Sequence, residues 1–192
     1  MGYFAGWPQR ATGQALGVAV VWLFLYVLND WLFSSVAVTE HLSWVFLPAV
    51  IRMLAVMLFG CVGALGIFVG SLCTGWYSMV EPNFIGLLTL AGFSALAPLA
   101  AFLLCSRCFS FRHDLQGLGA APLICLSLLS AAFTAGIHNL HFSAVGHVEH
   151  FWAGFVPMFV GDVLGTFAML YLAKLLVNLA LSNQPKPTQF PS

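Results

Sequence analysis

The chain has 192 residues, 61% of them hydrophobic and 6% charged, with six basic side chains balancing six acidic ones. Ordinary soluble domains carry about 25% charged residues, so this chain has too few polar groups to cover a surface that meets water, and lipid must be much of its solvent. Zero net charge also excludes the basic footprint of a nucleic-acid-binding protein.

Segment 1–12 is expected to rest at the inner membrane surface, with Tyr3 and Trp7 as interfacial aromatics. The first apolar span follows at 13–28. It is read as a retained span, because Arg10 alone precedes it and Asp30 and Trp31 spoil Ser35-Val36-Ala37 as a cleavage site. The second span is expected at 44–59 and the third at 61–80. Together they are too long for one crossing, and Gly60 and Gly63 predict a tight hairpin between them. The fourth, fifth and sixth spans are expected at 84–105, 120–137 and 151–172.

Six crossings place both termini on one side of the bilayer. Arg10, Arg107, Arg112, Lys174 and Lys186 then share that side, and Asp30, Glu40, Glu81 and Glu149 face the other, with Asp114 the one exception. Basic loops mark the cytoplasmic face. The expected fold is therefore an all-α polytopic membrane protein, a bundle of six transmembrane helices over 13–181 with N and C termini inside, followed by a flexible cytoplasmic tail at 182–192. Trp31, Trp44, Trp76, Tyr77 and Trp152 fall near the outer boundary as an aromatic belt, while Trp22 lies inside the first span.

Lipid gives helices no hydrophobic reason to associate, so small residues that let backbones approach take on more weight. Gly66, Gly70 and Thr74 form such a stripe on the third span, Gly161 and Gly165 another on the sixth, and Ala91 and Ala95 a weaker one on the fourth. Pro48, Pro98 and Pro157 lie inside spans and should kink or break them.

Two charges interrupt this apolar interior. Asp162 lies eleven residues past Phe151 and Arg52 eight past Trp44, depths of about 16 Å and about 12 Å at the helical rise. Both spans run inward from the outer face, so the long arginine reaches the carboxylate. An ion at such depth costs roughly 2.5–3.5 kcal/mol to insert and is tolerated where it faces protein or water. An Arg52–Asp162 pair is expected, serving either to fix helix register or to build a polar pocket for a small ligand or ion; a proton relay by Asp162 alone is the third reading.

His138, His141, His147 and His150 cluster at or beyond the outer end of the fifth span, with Glu149, and with Glu40 and His41 from another loop. Zinc or copper suits such a set of nitrogen and oxygen ligands. Interfacial hydrogen bonding and pH sensing are the other readings. Cys61, Cys73, Cys105, Cys108 and Cys125 are odd in number and sit in or beside spans, which argues against a disulfide framework, although Cys105-x-x-Cys108 has the spacing of a redox or metal pair. Nucleophile motifs, phosphate loops and paired catalytic carboxylates are missing from the sequence, so a non-enzymatic role is expected.

Two stretches, Leu47-Pro48-Ala49-Val50-Ile51-Arg52 followed by Gly60, and Gly161-Asp162-Val163-Leu164-Gly165, resemble the first-type membrane-associated sensor domain of bacteria. The resemblance implies an integral inner-membrane sensing module. That family usually has more spans than six and precedes cytoplasmic output modules, so a version standing alone would act through a protein partner in the membrane. A weaker similarity, carried by the glycine-rich stretch 59–70, is to substrate-binding components of energy-coupling-factor vitamin transporters. An accessory subunit of a larger membrane complex is the third expectation. Membrane lipids are partners under all three.

Overall fold

The computed structural model describes residues 7–33, 37–39, 42–78, 83–109 and 120–182. Helix α1 (Trp7–Phe33) leads into a two-stranded antiparallel hairpin, β1 (Ala37–Thr39) and β2 (Leu42–Ser43), with Ala37 opposite Ser43. The remaining elements are α2 (Ala49–Phe59), α3 (Cys61–Ser78), α4 (Phe84–Cys108), α5 (Ala120–Val145) and α6 (Phe151–Ser182). Apart from the small hairpin the described chain is all-α. Tyr3, Glu40, His41, Glu81, Arg112, Asp114, Lys186 and the tail beyond Ser182 lie outside the described residues.

Helices α1, α3, α4, α5 and α6 are each long and apolar enough to cross a membrane. Their outward faces carry exposed large apolar side chains, among them Leu16, Val20 and Phe24 on α1, Leu96 and Leu103 on α4, and Leu164 and Leu175 on α6. This arrangement suits a multi-pass membrane protein, in which hydrocarbon rather than water meets those faces. Trp31, Trp44, Trp76, Tyr77 and Trp152 are also exposed.

Helix α2 is different. Its 11 residues rise about 16 Å, too little to cross a bilayer. It occupies the centre of the bundle and touches all five long helices. Val50, Met53, Val56 and Met57 are almost wholly buried there. The expected helix over 44–59 therefore forms only from Ala49 onward. Pro48 sets this boundary, since its ring disfavours helical backbone at the preceding residue and supplies no donor. Ahead of it, the chain is irregular and runs between α6 and α1: the Phe46 N–H donates to the Gly161 carbonyl at 3.0 Å, and the Leu47 N–H donates to Asn29 Oδ1 at 2.8 Å. Irregular backbone survives in an apolar setting when its polar groups find partners in this way.

At the other end of α2 a single residue, Gly60, reverses the chain into α3. Its φ of 56° is left-handed backbone, which favours glycine. Gly63 then lies so close to the Ala55 backbone that any side chain there would collide with it. Gly66 packs on Ala15 and Val18, and Gly70 makes room for the Trp22 indole. Contacts at successive levels show α1 and α3 parallel, while α3 and α4 are antiparallel, with Ser71 against Ser94 and Gly75 against Leu87.

Several boundaries differ from expectation. Helix α1 begins at Trp7 rather than at residue 13, so 7–12 continue the first helix. Helix α5 runs to Val145 rather than 137, and α6 to Ser182 rather than 172. The end of α5 is set by Gly146 (φ 80°), after which the His147 N–H returns to the Phe142 carbonyl at 2.8 Å, a Schellman closure. Pro98 and Pro157 lie within α4 and α6, whereas Pro48 stands at the N-cap of α2. Gly165 admits the Phe46 backbone, which lies outside any helix, and not another helix as the small-residue stripe implied.

Replacing Gly63 with valine should destabilise the fold by about 1–3 kcal/mol through overpacking against backbone that cannot move aside. Gly136, which has open space around it, should accept alanine with no loss. Thermal unfolding of both variants in detergent, followed by circular dichroism, checks the contrast.

Candidate functional site

Arg52 sits on the first turn of α2, aimed at α6 by the Pro48 boundary. Its Nη2 lies 2.5 Å from Asp162 Oδ1, and the two side chains are 2% and 4% exposed. The guanidinium carbon also stands 5.1 Å from the centre of the Phe46 ring and 5.8 Å from that of Trp22. These rings meet edge to face at 6.0 Å. Aromatic faces carry negative potential and attract a cation most strongly where water is excluded. Arg52 is thus held by one carboxylate and two aromatic rings, contributed by α6, α1 and the irregular segment ahead of α2.

The aromatic wall has its own supports. Gly70 leaves space for the Trp22 ring, and Trp22 Nε1–H donates to Thr74 Oγ1 at 3.3 Å. The Thr74 hydroxyl is positioned by the Gly70 and Ser71 carbonyls of its own helix, at 3.2 and 3.1 Å. The stripe Gly66, Gly70, Thr74 thus both brings helices together and seats the tryptophan beside the arginine.

Beyond the ion pair lies a seam lined by Ala49, Met53, Ser127, Ser130, Ala131 and Thr166. In this conformation it leaves no space for a water molecule. Ser127 Oγ–H has the Met53 sulfur as its acceptor at 3.4 Å, a weak use of a buried hydroxyl. Continuing along α5, Ser130, Thr134 and His138 follow at helical spacing on the inward face, and all are buried. Thr134 Oγ1, buried, has no hydrogen-bond partner among the described residues, and Asn139 Oδ1 and Ser143 Oγ share that state.

A second polar layer joins α3, α4 and α5. Ser71 Oγ–H donates to Ser94 Oγ at 3.0 Å, Ser94 Oγ lies 3.2 Å from His138 Nε2, and His138 Nδ1 lies 2.9 Å from the Thr134 carbonyl. A carbonyl only accepts, so the proton sits on Nδ1, and Nε2 accepts from Ser94 in the neutral ring. Every link is satisfied in that tautomer.

The structure brings Arg52 and Asp162 together, as their matched depths implied. It does not gather the histidines in the same way. His138 is buried in α5 rather than lying at or beyond the helix end, and His141 is half-buried one turn later. Phe93 stands edge-on to both, at 5.9 and 6.2 Å, and Phe142 packs against His138, His141 and His147. His147 and His150 are exposed beyond Gly146. Among the described residues no three His, Cys, Asp or Glu side chains stand together as a metal-binding group.

Trp22, Phe46, Asn29 and Ser94 were missed from sequence, as were the hydroxyls of Ser127, Ser130, Thr134 and Thr166. Only the spacing of Ser127, Ser130, Thr134 and His138 offered a usable signal, since polar residues three and four apart in an apolar helix mark one inward face. Comparison with known proteins gives no family model, no curated relative and no solved structure that matches this chain. The resemblance seen in the Leu47–Arg52 and Gly161–Gly165 segments rests on those residues alone.

Removing one partner of a buried pair strands the other charge and costs about 3–5 kcal/mol, whereas replacing both with apolar groups of similar size is close to neutral. Arg52→Met and Asp162→Leu should each sharply lower the yield and melting temperature of the purified protein. The double variant should recover most of that loss in the same melting experiment.

Proposed function

We propose that this chain is a multi-pass membrane binding module in a non-enzymatic, sensor-like role, with the Arg52–Asp162 pair as its ligand-responsive centre. In this reading a small anionic solute carrying a carboxylate competes with Asp162 for the Arg52 guanidinium. Planar guanidinium recognises carboxylate through paired N–H donors, and Asp162 serves as the resident ligand that keeps the site closed. The observation that carries the proposal is that the buried ion pair abuts three hydroxyls, those of Ser127, Ser130 and Thr166. A pair that only fixed helix register would be as well served by an apolar surround.

The buried polar face of α5 supports a route to this centre. Ser127, Ser130, Thr134 and His138 lead from the seam toward the His147 end of the helix. Displacement of Asp162 frees α6 from α2, and the change passes to a protein partner in the membrane. The module crosses the bilayer six times, with α2 and the irregular segment ahead of it completing the second crossing and both ends cytoplasmic, in a bacterial inner membrane. The exposed basic residues Arg10, Arg107 and Lys174 all fall on the cytoplasmic side in that topology.

Two measurements test this reading. With the protein in lipid nanodiscs, a panel of small carboxylates should include members that raise the melting temperature of the wild type. Acetate or formate should stabilise Asp162→Ala, whose guanidinium is vacated, and the effect should vanish in Arg52→Met/Asp162→Ala. If no carboxylate stabilises either the wild type or Asp162→Ala, the binding role is wrong. For the topology, an impermeant thiol reagent applied to intact cells should label Glu149→Cys. Arg107→Cys should react only after the membrane is opened.

A further inference from the structure

Outside the charged centre, the clearest unused chemistry is a pair of thiols between α4 and α5. Cys105 Sγ and Cys125 Sγ stand 3.5 Å apart, and both are free. Neither residue takes part in the ion pair, the hydroxyl seam or the histidine layer. We infer that Cys105 and Cys125 form an oxidisable dithiol that a membrane-soluble hydroperoxide converts to a reversible disulfide linking α4 to α5.

The geometry supplies most of what the bond needs. A disulfide requires the sulfurs to close to about 2.05 Å, so the pair must approach by roughly 1.5 Å. Ala101, one turn before Cys105 and fully buried, keeps the helices close at this level. The surroundings are apolar: Met53, Met57 and Leu126 form the core around Cys105, and Phe102, Leu123 and Leu129 pack against it. A charged aqueous oxidant is excluded from such a site, whereas a neutral hydroperoxide that partitions into lipid is not. Cys105 is 1% exposed, while Cys125 is half-buried and is therefore the thiol such a reagent meets.

The steps balance. The Cys125 sulfur attacks the peroxide oxygen, the O–O bond breaks, and the products are a Cys125 sulfenic acid and an alcohol that takes up the thiol proton. The Cys105 sulfur then attacks the Cys125 sulfur. The S–S bond forms, the S–O bond breaks, and the hydroxyl leaves as water with the Cys105 proton. Two electrons pass from the thiols to the hydroperoxide, and a dithiol reductant reverses the change. Under the proposed topology the pair lies near the cytoplasmic end of both helices. Disulfides facing a reducing compartment are typically transient and redox-sensing, as this reversible bond would be.

The test uses the protein in nanodiscs treated with cumene hydroperoxide. Intact mass should fall by two hydrogens, and peptide mapping without reductant should recover a Cys105–Cys125 cross-link that dithiothreitol removes. Cys125→Ala should abolish the cross-link, while Cys108→Ser, which alters the exposed thiol at the end of α4, should leave it intact. Recovery of oxygen adducts on Cys105 or Cys125 with no cross-link between them would overturn the proposal. So would a cross-link that instead joins Cys105 to Cys108. The wild-type peptide map decides the matter even if an alanine variant fails to fold.

Discussion

A guanidinium withdrawn from water must be neutralised within reach, and in this protein Asp162 on α6 supplies the anion. The cost of leaving either charge unpaired in an apolar interior exceeds that of most packing defects. The short helix α2 is fixed at the level where Arg52 meets Asp162, and the five long helices are arranged around it. The irregular stretch ahead of it follows from the same demand. A continuous helix from Trp44 would deny Gly161 and Asn29 their donors, and it would move the Phe46 ring from its place over the guanidinium.

Glycine placement serves this centre more than it serves helix packing in general. Gly63 permits the immediate reversal after Gly60, Gly70 clears space for Trp22, and Gly165 admits the Phe46 carbonyl. Each is a point where backbone or a ring must approach more closely than a Cβ allows. The bundle is tight around the arginine and lined with hydroxyls on one side, a combination that is costly as structure and useful as chemistry. That asymmetry is the strongest physical reason for reading the centre as a site.

Much of this was legible in the sequence, for reasons that differ by residue. Arg52 and Asp162 stood out because charges are scarce in apolar runs, and counting along each run matched their depths. The Gly60 hairpin was legible because 44–80 was too long to cross once. The helical limits of α2 were not, since an irregular apolar stretch and a helical one have the same composition, and Pro48, expected to kink or break the span, breaks it at the start of α2. His138 was misplaced because the fifth span was ended ahead of the adjacent polar residues His138 and Asn139. The apolar face resumes at Leu140 and Phe142, and the stop signal, Gly146, comes a full turn later. Trp22 and Phe46 were silent because aromatic residues in a membrane span look alike whether they face lipid or a cation.

The separation of the two charges along the chain, 110 positions, also dictates an order of assembly. While the ribosome is still making the middle of the polypeptide, the arginine has already been delivered to the bilayer and its counter-ion does not yet exist. Until α6 emerges, the carboxylate that pairs with Arg52 in the folded bundle does not exist, and the contact that fixes α2 cannot form. Translation that stops short of residue 162 would leave α2 carrying a charge without its counter-ion.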